Sequence, residues 1–208
     1  MADRLRPLWD FDELGATEQR LLAQFEQEES DVGRAEVLTQ IARVHGLRDD
    51  FEECARKLDE AETLAGSSAA ARVRIELERG RMHRSSGDSE TALPLFESAF
   101  ARASEAGEYY LAGDAAHMCA LAVTSREAME EWTQRGLELA ERESDAAYWG
   151  GPLLNNLAWS YHDSGEYERA LELFERALEM RQRDPDNQVA ITHAREAVAT
   201  TLEALGRS

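Results

Sequence analysis

Residues 151–184 read GPLLNNLAWSYHDSGEYERALELFERALEMRQRD. Within them Leu154, Leu157, Ala158 and Tyr161 recur at spacings of three and four, which gathers apolar side chains on one face of a helix. Asp163, Ser164 and Gly165 interrupt that pattern with residues suited to a tight turn. A second apolar face follows in Ala170, Leu171, Phe174, Ala177 and Leu178. Pro185, one residue beyond the unit, ends it. The stretch therefore predicts a helix, a short turn and an antiparallel helix.

The same frame returns upstream. Gly80, His83, Gly87, Ala92, Phe96 and Ala99 take the matching places in a unit that begins near Val73. Ala42, His45, Cys54, Leu58 and Ala61 do so from Ala35. A looser copy starts near Tyr109 with Ala116, Ala128 and Trp132, although Arg135 stands where a small residue is expected. Ala199, Leu202 and Gly206 suggest the first helix of a fifth unit. Gly87 and Gly165 occupy equivalent turns 78 positions and two units apart. Such a period marks stacked helical hairpins, none of which buries its apolar face alone. The predicted organisation is an N-terminal segment and capping helix over 1–34, with the helix over 16–29. Helix pairs follow over about 35–68, 73–106, 109–143 and 151–184, with a closing helix over 188–208. Terminal caps are expected to be atypical because one face meets water, and Trp9 and Phe11 are expected to pack onto the first cap.

Ala158, Tyr161, Gly165, Ala170, Phe174 and Ala177 fall at places 8, 11, 15, 20, 24 and 27 of the quoted unit. In these residues the chain resembles the tetratricopeptide repeat family, in the longer form found in kinesin light chains and many bacterial regulators. Gln182 stands where that family usually has proline. The resemblance implies an all-α, right-handed superhelical solenoid of antiparallel helix pairs, with about four repeats and a capping helix at each end. It further implies that the first helix of each pair lines a concave groove. Carried onto this chain, the groove positions are Arg43 in the first unit, and Arg74, Leu77, Arg81 and Arg84 in the second. The third supplies Tyr110, Asp114 and His117, and the fourth Asn155, Asn156, Trp159, His162 and Asp163.

Two groups of these residues suggest a chemistry. Asn155 and Asn156 are poor helix formers, and side-chain amides on a groove wall can clamp an extended peptide backbone; alternatively they bond to a neighbouring helix. Trp159 beside them is the expected affinity hot spot, unless it packs against the next unit. Arg43, Arg74, Arg81 and Arg84 can take carboxylates through paired hydrogen bonds, unless Glu36, Glu76 or Glu78 claims them internally.

Composition narrows the function classes. The chain has 42 acidic and 23 basic residues and a net charge of −19, which disfavours nucleic acid and anionic membranes. The opening MADRLRPLWDFDEL has no apolar core after its charges, so no secretory signal is expected and a cytoplasmic location is. No phosphate-binding, metalloprotease or nucleophile-elbow motif occurs. His45 and His83 fall at a packing place of the repeat, and the histidines lack metal-ligand spacing. Cys54 and Cys119 stand alone within helices. The reading is a non-enzymatic protein- or peptide-binding adaptor without cofactor or metal, with an acidic or C-terminal segment as the expected ligand. The alternatives are a peptide-sensing regulatory module and a self-associating scaffold, so a homo-oligomer stays possible.

Overall fold

A computed structural model describes residues 3–184 and 187–207. Pro185, expected to end the last pair, lies outside the described residues. Among those described there are ten α-helices and no strand. They run α1 Leu14–Gln27, α2 Asp31–Gly46, α3 Phe51–Leu64, α4 Ala69–Ser85, α5 Ser89–Ala106, α6 Tyr109–Ala122, α7 Arg126–Arg142, α8 Gly150–Asp163, α9 Tyr167–Gln182 and α10 Gln188–Ala204.

Local chemistry sets most of these limits. The side chains of Ser30, Asp50, Ser68, Asp88, Ser125 and Asn187 each accept a hydrogen bond from a first-turn N–H of the helix that follows. Each satisfies a donor that the helix itself leaves open. Gly87 and Gly165 turn the chain with φ of 89° and 81°, a region in which a side chain is strained.

The chain forms two compact units, one ending at Met118 and the other starting at Cys119. In the first, α2 pairs with α3 and α4 with α5, while α1 packs on α2 and α2 on α4. Leu21, Leu38, Ile41, Val44, Ala61 and Ile75 share one core with Leu5 of the N-terminal segment. Gly80 lets α4 and α5 approach closely, since a Cβ there would lie 2.4 Å from Phe96 Cε1. In the second unit α8 pairs with α9, with α10 packed on α9 and α7 on α8. Leu157, Ala158, Tyr161, Ala170, Phe174 and Ala197 form its core, so the small and aromatic places of the quoted stretch meet as expected. Tyr161 also donates its hydroxyl to Glu130 and has the guanidinium groups of Arg126 and Arg169 at 4.7 and 4.6 Å from its ring centroid. A 3₁₀ segment, Ser144–Trp149, leads into α8.

The N-terminal segment departs from expectation. Trp9 does reach the core that includes Leu21 of α1, but its indole donates to Gln40 of α2 at 3.0 Å. Trp9 and Phe11 stack on each other, with Arg43 of α2 beside both rings. The indole N–H needs an acceptor when it is half-buried, and Gln40 on α2 supplies it.

Candidate partner-binding faces

The first unit gathers its predicted site residues around a buried ionic network. Arg81 of α4 donates to Glu78 at 2.6 Å and to Asp114 of α6. Glu78 and Asp114 are both buried. Burial works against the charge on Arg81, yet Asp114 and Glu78 hold it protonated above its usual range. Asp114 is correspondingly lowered, because Arg81 and Arg43 outweigh its desolvation. His117, one turn along α6, is pushed down to about 4 by burial, with Arg81, Arg43 and Arg84 adding to the effect against Asp114. It is neutral at physiological pH.

Arg43 joins this network from the side. Its nearest carboxylate is Glu78 at 3.9 Å, and its buried Nε finds no hydrogen-bond partner. Desolvation and the repulsion of Arg81 lower its pKa in spite of Glu78 and Asp114, although a quarter of the side chain remains open. Arg74 is spent internally: it donates to Asp3 at 2.6 and 3.1 Å and has Glu36 at 3.8 Å. Arg84 is exposed at the end of α4. The expected alternative of internal pairing thus describes Arg81, which meets Glu78, and Arg74, which has Glu36 at 3.8 Å; Asp114 and Asp3 join them unforeseen, while Glu76 pairs with Arg102.

The second unit holds the other group on α8. Asn155, Asn156, Trp159 and His162 are all half-buried. Trp159 meets Phe174 and His162 edge-on at 5.0 Å, and His162 meets Tyr167 at 5.1 Å. His162 Nε2 is buried without a hydrogen-bond partner. The aromatic packing runs within the α8–α9 hairpin, whereas the alternative weighed for Trp159 was packing against the next unit, and the ring is not fully covered.

Sequence reasoning missed the N-terminal segment as part of the first face. Asp3, Trp9 and Phe11 reach residues on α2 and α4, and a periodic pattern carries no signal for such contacts. Among the described residues no group of three or more His, Cys, Asp or Glu is placed to hold a metal. Burial raises the Cys54 thiol to about 12, where thiolate is negligible at neutral pH. No described helix is long and apolar enough to cross a membrane.

The sequence model of the tetratricopeptide repeat family matches residues 153–183, the span of the α8–α9 hairpin. No curated protein matches the chain. Among solved structures, the chain is similar to BtubC (BKLC) from P. vanneervenii, with a TM-score of 0.70 and 17% identity. The similarity covers 99% of this chain and 85% of that one. The chain is thus an all-helical protein of consecutively packed helix pairs, and its last full pair matches the tetratricopeptide repeat. Repeats of this family serve in general as protein-interaction scaffolds.

Proposed function

We propose that the chain is a non-enzymatic adaptor of the cytoplasm that holds a protein or peptide on the first-helix faces of its pairs. The observation that carries this reading is the unspent polar chemistry of α8. Asn155 and Trp159 are half-buried, yet neither the Asn155 amide nor the Trp159 indole N–H makes a hydrogen bond among the described residues. A side-chain amide offers a donor and an acceptor together, the complement of a peptide group. A flat ring beside it supplies contact area at small entropic cost. The acidic surface keeps polyanions away and leaves protein as the natural partner.

Capture from extract of the native cell with wild type, Asn155→Ala and Trp159→Phe tests the proposal. Circular dichroism melts confirm that the variants fold. Loss of the same prey in both folded variants is the expected result. A prey recovered equally by all three, or none at all, counts against binding through α8.

A further inference from the structure

A cavity of about 60 Å³ opens where the start of α8 meets the end of α9 and the first turn of α10. One water needs roughly 10–15 Å³, so the space takes a few heavy atoms and no peptide. Its apolar wall includes Ala147, Pro152 and Met180. Two glycines make the room. A Cβ on Gly150 would lie 2.1 Å from Met180 Cε, and one on Gly151 would lie 3.0 Å from Arg181 Cγ and 3.3 Å from its Nε. Without those Cβ atoms, Met180 and Arg181 of α9 lie directly against the start of α8.

Arg181 lines this cavity and is half-buried. Its Nη1 donates to the carbonyl of Ala190 in the first turn of α10 at 2.8 Å, which fixes the guanidinium. No carboxylate pairs with it among the described residues. Burial lowers its pKa, and the nearby Tyr148 hydroxyl only partly offsets this. A guanidinium that has lost water without gaining an anion favours an incoming one. The bond to Ala190 leaves the Nε and Nη2 donors, the edge on which a carboxylate makes two parallel hydrogen bonds. The missing Cβ of Gly151 keeps the Nε side of that edge clear. Asp184, three residues further along, lines the same cavity. Its exposed carboxylate makes no hydrogen bond or ion pair among the described residues.

We infer that this cavity binds a small zwitterion, a free α-amino acid with a short side chain, whose carboxylate lies on Arg181 and whose ammonium faces Asp184. Opposite charges on one cavity that are not paired with each other complement a ligand carrying both. A plain carboxylate would meet the Asp184 charge uncompensated, and a phosphate dianion would meet it doubly. The short side chain packs on Pro152 and Met180, the apolar part of a wall with few polar groups. The site uses none of the residues assigned to partner binding, so it goes beyond that reading and stands without it.

The full-length 15N-labelled protein is titrated at constant ionic strength with three probes. They are L-alanine, propionate, which lacks the ammonium, and ethylammonium, which lacks the carboxylate. The Arg181 Nε–H resonance, assigned by its loss in Arg181→Lys, reports binding. L-Alanine should give a saturable shift and ethylammonium none. Propionate should bind at least about threefold more weakly than L-alanine, the weight of one exposed ion pair. Asp184 is exposed, so Asp184→Asn keeps the fold and should bring L-alanine down to the affinity of propionate. Gly151→Ala retains both charges but crowds the guanidinium, and should weaken L-alanine by about tenfold or more. No saturable shift with L-alanine up to about 10 mM, or an L-alanine affinity that a folded Gly151→Ala leaves unchanged, overturns the site. Propionate as tight as L-alanine, or an indifferent Asp184→Asn, overturns the zwitterion. No partner protein enters the titration, so its failure leaves the capture experiment untouched.

Discussion

Arg81 joins two buried carboxylates from different helices, Glu78 on its own α4 and Asp114 on α6. Removing it strands both charges where water cannot reach them. Arg81→Met should therefore destabilise the protein by about 3–5 kcal/mol in urea unfolding. The triple change Arg81→Met, Glu78→Leu and Asp114→Leu should recover much of that loss, because an apolar cluster has no unpaired charge. A single variant with near wild-type stability would show that the network carries little weight. His117 leads to a prediction in pH. Its folded pKa of about 4 lies below the ordinary 6.5, so the unfolded chain binds the proton more readily. Stability from this group is complete above pH 6.5 and drains away as pH falls towards 4. Wild type should lose more stability than His117→Gln between pH 7 and 5, by about 1–3 kcal/mol. Equal losses would mean that the imidazole is better solvated than its setting implies.

At the level of helices, close approach and caps limit the pairs. Gly80 faces the ring of Phe96, which is fully buried and cannot swing aside. Gly80→Ala, helix-favouring on propensity alone, should instead cost about 1–3 kcal/mol by overpacking. A thermal melt decides between the two effects, and a stabilised variant would show that α4 and α5 can part without penalty. Asp88 accepts from Thr91 N–H at the start of α5, and His83 lies 3.3 Å from its other oxygen. Asp88→Ala should lower stability by about 1 kcal/mol, and Asp88→Asn, which keeps the acceptor, by less. Most of these limits were legible in advance. Gly87, Ala92 and Phe96 belong to the α4–α5 hairpin and Ala158, Gly165 and Phe174 to the α8–α9 hairpin, so near neighbours in sequence reveal each set. The Trp9–Phe11 segment was not legible, because its partners sit on helices beyond α1 and no period links them.

For the molecule as a whole, a charge of −19 sets the electrostatic background. Self-repulsion at low salt opposes compaction, and screening relieves it. Raising sodium chloride from low to about 0.5 M should stabilise the fold by on the order of 1 kcal/mol, seen as a Tm gain of roughly 2–4 °C. A falling Tm would show that the surface ion pairs, such as Arg79 with Asp59 and Glu62, outweigh the net charge. By itself the sequence determined that this protein is a run of antiparallel helix pairs, since spacings of three and four and recurring turn glycines act over a few residues. It also named the first-helix side chains on which the proposed partner-binding role rests. The tertiary structure alone decided which of them are spent: Arg74 meets Asp3 across 71 positions and Arg81 meets Asp114 across 33, whereas Arg43 keeps its donors. Such pairings form only when distant segments are folded together, and the choice among abundant carboxylates is made by distance in space.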